Sequence, residues 1–164
     1  MRFTVKYEIN QYRIFDEDRK PAGVLRRSLT SGNSLEIFDA SGQRIGRAVR
    51  GSGEIIVEET GSEDLHCVLE YPSDAEGHII QEAYTRPPMP QRTVIGLPGK
   101  QIELCQTRRR EFKIRTDGRE IGRMTHMQSA GKKMTLPDGF PEKYCGVVFA
   151  VGFLMLHDDD IEIV

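Results

Sequence analysis

The residues of this 164-residue chain best equipped for chemistry are cations that come in neighbouring pairs and triplets. Arg108-Arg109-Arg110 and Lys132-Lys133 are the densest, and Arg26-Arg27 and the spaced pair Arg47 and Arg50 add two more. Guanidinium and ammonium groups gathered side by side hold phosphate, each contact at an anionic surface being worth ~1 kcal/mol. Arg108, Arg109, Arg110, Lys132 and Lys133 are therefore the candidate ligand-binding residues, and anionic phospholipid headgroups the candidate ligand. The competing reading is plain: charged hairpin edges discourage sheet-to-sheet association. The chain as a whole is no polycation, because 23 Lys and Arg stand against 25 Asp and Glu for a net charge of -2. That balance excludes a body-wide attraction to nucleic acid.

The remaining motifs fail on spacing. His66, His78, His126 and His157 lack the HxxxH or HExxH spacing of a zinc site, so neither a metal nor a cofactor is expected. Asp158-Asp159-Asp160 reads as a solvated stop, since consecutive carboxylates do not converge on one ion without a loop formed around it. Gly51-Ser52-Gly53 precedes Ile56 where a dinucleotide fingerprint needs glycine. Gly96 to Lys100 is too short for a phosphate loop and has no Ser or Thr after its lysine. No serine stands in a GxSxG elbow, and Cys67 follows His66 in a segment whose neighbours point to opposite faces. The expectation is a protein that is not an enzyme. Arg86-Pro87-Pro88-Met89-Pro90-Gln91-Arg92 fits a proline-rich ligand for SH3-like grooves, with a rigid connector as the simpler reading. A protein-interaction or purely structural module is thus the alternative to headgroup binding.

Turns and short strands must position these groups. Gly, Pro, Asn and Asp recur about every ten residues, at Asp18 to Pro21, Ser31 to Asn33, Ser41-Gly42, Gly51 to Gly53, Gly61-Ser62, Pro72 to Gly77, Arg86 to Pro90, Pro98-Gly99, Asp117-Gly118 and Pro137 to Gly139. Between them apolar residues alternate with polar ones: Phe3, Val5, Tyr7; Tyr12, Ile14; Leu35, Ile37; Ile55, Val57; Leu65, Cys67, Leu69, Tyr71; Ile102, Leu104; Phe112, Ile114. Period two over four to eight residues predicts some twelve antiparallel strands in one domain spanning residues 1–164. One hairpin unit also repeats. Tyr12 to Arg26, Leu35 to Arg50 and Phe112 to Thr125 each read as a strand, an Asp-bearing reversal and a strand that begins near a glycine.

Only the end of the chain departs from this pattern. Phe140-Pro141-Glu142-Lys143 introduces the run Cys145 to Leu156, which is apolar on every side and predicts an enclosed helix over about residues 142–157. Its twelve residues would make ~18 Å of helix, short of the ~20 residues that a bilayer core needs, so no transmembrane segment is expected. Twelve strands ~4.8 Å apart and tilted ~36–40° close into a barrel of radius roughly 11–12 Å. Side chains alone do not fill that radius, but a helix packed ~10 Å from the wall does. The sequence therefore predicts a mainly all-β fold: a closed antiparallel barrel of about twelve strands around one buried C-terminal helix. Three cysteines without a CxxC pair read as reduced thiols, and the alternating start is no signal peptide, so the expected location is cytoplasmic.

The repeated hairpin, together with Phe140-Pro141-Glu142 through Leu156-His157-Asp158, resembles the tubby C-terminal-like superfamily, in particular its small LURP-one-related branch. The resemblance covers nearly the whole chain and rests on order and spacing. It implies a twelve-stranded barrel around a central helix. It also implies kinship with barrels that bind phosphoinositide headgroups and with phospholipid scramblases, hence an expected peripheral position at membranes. The basic headgroup pocket of tubby has no matching motif here. Where scramblases carry an acidic calcium-binding segment before the last helix, this chain has Lys132, Lys133, Pro137 and Asp138, and the scramblases' palmitoylated cysteine cluster is missing.

Overall fold

The computed structural model describes residues 1–28, 33–79, 89–107 and 109–156. Its strands are β1 Arg2–Glu8, β2 Gln11–Phe15, β3 Pro21–Arg27, β4 Ser34–Asp39, β5 Arg44–Arg50, β6 Glu54–Glu59, β7 Leu65–Val68, β8 Arg92–Leu97, β9 Lys100–Gln106, β10 Phe112–Thr116, β11 Arg119–Thr125 and β12 Gly131–Thr135. A 3-10 turn over Glu142–Tyr144 then leads into the helix α1, Cys145–Leu156. Pro141, with φ -59°, sits just ahead of that turn and Glu142 lies within it, as expected for a helix start. The twelve strands form one sheet in the lateral order β7, β6, β5, β4, β3, β2, β1, β12, β11, β10, β9, β8.

Neighbours in that order are hairpin partners except β1 and β12, which pair with Arg2 opposite Thr135 and Lys6 opposite Gly131 and so join the two halves of the chain. The outer strands meet where Glu70 bridges Arg92. The Glu70 N–H donates to the Arg92 carbonyl at 2.8 Å, and the Glu70 carbonyl accepts the Gln91 N–H at 2.7 Å. Beside this bridge the Thr93 hydroxyl donates to the Val68 carbonyl at 2.8 Å. The sheet is a nearly closed barrel.

The inward member of each alternating pair supplies the core. Val5, Ile14, Leu25, Ile37, Ala48, Ile55, Cys67, Ile95, Ile102, Leu104, Ile114, Met124 and Met134 are all buried, in one apolar cluster with the residues of α1. The helix touches more than one wall. A Cβ at Gly146 would lie 3.1 Å from Ile37 Cγ2 and 3.7 Å from Leu25 Cδ2, whereas one at Gly152 would strike Met124. The Phe153 ring packs 4.8 Å from Tyr12, centroid to centroid. An apolar helix has no face to give to water, and here the sheet supplies partners all round it.

The repeat has a structural cause. In each unit an inward isoleucine faces a glycine across the hairpin, Ile14 with Gly23, Ile37 with Gly46 and Ile114 with Gly122, and the register slips immediately beyond. Such bulges bend a strand toward its neighbour. The bend brings Gly46 and Gly122 so close to the next strand that a Cβ would collide with the carbonyl oxygens of Glu58 and Thr135. The aspartates have a different task. Asp16 Oδ1 accepts the Asp18 and Lys20 N–H groups, and Asp39 Oδ1 those of Ser41 and Gln43, each at 2.9 Å. Asp74 does the same with Glu76 and His78, so a further copy of this loop survives in the central stretch where the sequence repeat fades.

Gly122→Ala should destabilise the barrel by about 3 kcal/mol or more in denaturant unfolding, because the obstacle is backbone. Gly96→Ala, which meets open space, should stay within about 0.5 kcal/mol. The Ser41 hydroxyl and the loop N–H groups hold the Asp39 carboxyl below its ordinary value of 3.8. A depressed carboxylate adds stability that is whole above the ordinary value and drains away as pH falls through the lowered one. Asp39→Asn should accordingly flatten the acid limb of Tm against pH, measured from pH 6 to pH 2.

Candidate functional site

Antiparallel order gives the barrel two unlike ends. The Asp-bearing loops after β2, β4 and β10 open at the end where α1 begins. There Lys143 Nζ lies 3.5 Å and the Tyr144 hydroxyl 3.4 Å from Glu59 Oε1. The turns after β1, β3, β5, β9 and β11 open at the other end, where α1 stops. Every basic cluster singled out in the sequence belongs to this second end: Arg26 and Arg27 close β3, Arg47 and Arg50 lie in the last turnward half of β5, Arg109 and Arg110 follow β9, and Lys132 and Lys133 begin β12. Helix C-termini carry partial negative charge, which cations there offset. Arg50 does so directly, its Nη1 donating to the Leu154 carbonyl at 2.8 Å.

Strand alternation then sorts the cations into two sets. Arg27, Arg50 and Lys132 continue the inward series of Leu25, Ala48 and Met134, at the mouth around the helix end. Lys132 is half-buried and donates from Nζ to the Ser129 carbonyl at 2.7 Å, and burial lowers its pKa. Arg26, Arg47 and Lys133 point outward. Lys132 and Lys133, adjacent in sequence, thus serve opposite faces. Lys133 sits across from Thr4 and Thr125. Because β11 lies between β12 and β10, with Met124 facing Met134 on one side and Phe112 on the other, Lys133 lies two strands, or about 10 Å, from the strand that follows Arg109 and Arg110. Arg109 is exposed and Arg110 half-buried with φ 56°, while Arg108 lies outside the described residues.

A groove of about 630 Å³ lies at this end between the β1–β2 turn and the outer faces of β3 to β5, lined by Ile9, Asn10, Arg26, Arg27, Glu36 and Arg47 among others. One lateral row of outward residues crosses it: Gln11 opposite Arg26, Arg26 opposite Glu36, Glu36 opposite Arg47 and Arg47 opposite Glu58. The Arg26 guanidinium lies over the Phe38 ring at 4.7 Å, which fixes its direction while leaving N–H groups to donate. Glu36 is drawn along the wall to Arg44, 3.8 Å away. At the upper edge the Arg27 N–H donates to the Asn10 carbonyl at 3.0 Å and ties β3 to the turn. The groove lining itself carries three arginines against one carboxylate. Arg26, Arg27 and Arg47 were visible as clustered cations, but their convergence needs the strand register. Ile9 and Gln11 left no signal, since no Gly, Asn-Gly or Asp-Gly marks the turn at residues 9 and 10.

The other chemical candidates are accounted for by their surroundings. Cys67 and Cys145 are fully buried, and burial pushes both thiols up to about 12, so they stay protonated at neutral pH. His66 is exposed, its Nδ1 3.3 Å from Glu54 Oε2, while Cys67 faces the core. Asp74, Glu76 and His78 bring potential ligand atoms within 4.8 Å of one another on an exposed loop, an arrangement that the Asp74 turn hydrogen bonds produce by themselves. Gly51 to Gly53 form the turn after β5, and Gly96 to Lys100 run from the end of β8 through its turn into β9. In the proline-rich stretch, Arg92 is bound at 2.7 Å to Glu70 and at 3.1 Å to Glu103. Residues 86–88, His157 and Asp158 to Asp160 lie outside the described residues.

Comparison with known proteins yields one point of likeness. A protein of Arabidopsis thaliana solved by X-ray crystallography is similar to this chain over 98% of its length and 90% of the Arabidopsis chain, with 10% sequence identity and a TM-score of 0.47. No family model matches, and no curated protein does. No helix among the described residues is long and apolar enough to cross a membrane.

The three cysteines give a direct check on the core. Native protein at pH 8 should react with a thiol reagent at Cys105, which is half-buried, while Cys67 and Cys145 label only after denaturant is added. Mass spectrometry of the labelled peptides reads the order.

Proposed function

We propose that this protein is a non-enzymatic binding module that docks on anionic phospholipid headgroups from the cytoplasmic side, as a peripheral protein of the LURP-one-related kind. The observation that carries this reading is the gathering of sequence-distant cations at one end of the barrel, with Arg26 and Arg47 facing a single groove that Arg27 borders. The architecture is the one that the resemblance implies. Arg109, Arg110 and Lys133 stand on the same end and extend the basic surface around the mouth, and the expected role of Arg108, Arg109, Arg110, Lys132 and Lys133 passes to this wider rim. Lys132 contributes least, because its ammonium group is occupied by Ser129.

Flotation with vesicles containing phosphatidylserine or a phosphoinositide, over a salt series, tests the reading. Binding should weaken steeply with salt. The double variant Arg26→Gln/Arg47→Gln should lose about 2 kcal/mol, roughly thirtyfold in affinity, at ~1 kcal/mol per cation. Absence of binding even at low salt would overturn it. The alternative, a protein-interaction module, draws on the exposed apolar side chains of Val68 and Ile79. A purified partner whose binding survives charge reversal of both arginines would favour that alternative.

A further inference from the structure

The β1–β2 connection breaks a local rule. It has two residues, Ile9 and Asn10, between Glu8 and Gln11, which still face each other in the ladder. Both central residues take positive φ, 23° and 61°. Two-residue hairpins of that kind are made by Asn-Gly or Gly-Gly, because a left-handed backbone crowds any Cβ, and a β-branched one most of all. Asn10 suits its position; Ile9 does not. Nor does packing explain Ile9, since its side chain is 92% exposed. A residue that neither local conformation nor the core favours is the kind of exception that function leaves behind.

The surroundings say what such a residue can do. Tyr7, 49% exposed, stands beside the turn with its ring 5.1 Å from Tyr12, and its hydroxyl accepts the Asn10 N–H at 3.3 Å. An aromatic ring with one wet end and one apolar body suits the level of lipid headgroups. Behind the tip lies the arginine groove, of which Ile9 and Asn10 form the upper edge. Arg26 and Arg47 carry no ion pair among the described residues, which leaves their charge for an external anion. Ile9 stands at the tip, the row of Arg26 and Arg47 follows at the level of Gln11 on the outer face, and Tyr7 lies one residue further down on the mouth face with its hydroxyl reaching back to Asn10. A bilayer offers acyl chains to the aliphatic tip and, at its interface, phosphates to the arginines and an amphipathic level to the tyrosine.

We propose that Ile9 is a membrane-inserting tip, which enters the acyl layer of an anionic bilayer while Tyr7 sits at the interface and Arg26 and Arg47 take phosphates. This rests on the headgroup-docking reading above and adds to it an apolar contact that no soluble anion supplies. A soluble inositol polyphosphate therefore binds the groove without engaging Ile9, whereas a vesicle engages both.

The test uses Ile9→Asn, which restores an ordinary turn residue. Its Tm should rise by about 2–4 °C. Its affinity for phosphatidylserine or phosphoinositide vesicles should fall about tenfold, while its affinity for inositol hexakisphosphate in solution stays that of the natural chain. The protein contains no tryptophan, so Ile9→Trp provides a single tryptophan that can be excited apart from the tyrosines. Its fluorescence should shift to the blue on vesicle binding and be quenched by lipids brominated in the acyl chain. Vesicle binding that is unchanged in Ile9→Asn, or a tryptophan that stays water-exposed on bound protein, overturns the insertion and leaves headgroup docking standing. A natural chain that binds neither vesicles nor inositol hexakisphosphate sinks both readings.

Discussion

Helix α1 has no polar face, and the rest of the molecule is organised by that fact. An amphipathic helix can lie on a sheet and leave one side in water, but a segment from Cys145 to Leu156 with every side apolar must be surrounded. Surrounding a helix takes a wall on all sides, and a wall made of strands takes about twelve of them to reach the needed radius. The inward residues then follow. They are mostly aliphatic, they alternate with outward residues except at the bulges, and Ile37 and Met124 crowd the positions that a Cβ at Gly146 and Gly152 would take.

The helix also imposes direction on an otherwise repetitive wall. Its start lies among carboxylates such as Glu59, and its last carbonyls lie among cations, with Arg50 bonded to Leu154. Three of the basic residues at that end, Arg27, Arg50 and Lys132, project into the mouth around the helix end. Arg26, Arg47 and Lys133 lie on the outer face instead. Separating the two sets by face is what turns a list of basic doublets into an argument about a surface.

Fold and site were legible to different degrees, for physical reasons. Strand and helix assignments depend on periodicity within a few residues, and Phe3, Val5 and Tyr7 or the run from Val147 to Leu156 display it openly. The repeat was visible because the bulged crossing demands glycine opposite isoleucine at Gly23, Gly46 and Gly122. Strand β12 was harder, since Lys132 occupies an inward position and interrupts the apolar alternation. The groove could not be read at all. Whether Arg26 and Arg47 meet depends on loop lengths and on two register slips, and no local pattern encodes those quantities. The turn at Ile9 escaped for the opposite reason: it contradicts the local pattern.

The order of elements along the chain has a kinetic consequence. The plug follows all twelve strands, and β12, which joins the two halves through β1, comes just before it. During synthesis the earlier hairpins emerge with greasy inner faces and open edges, yet nothing to close upon. The interior cannot be filled until all twelve strands and the helix after them have been made. Until then the apolar inner faces and open edges are exposed to association, which makes this a slow, non-local closure.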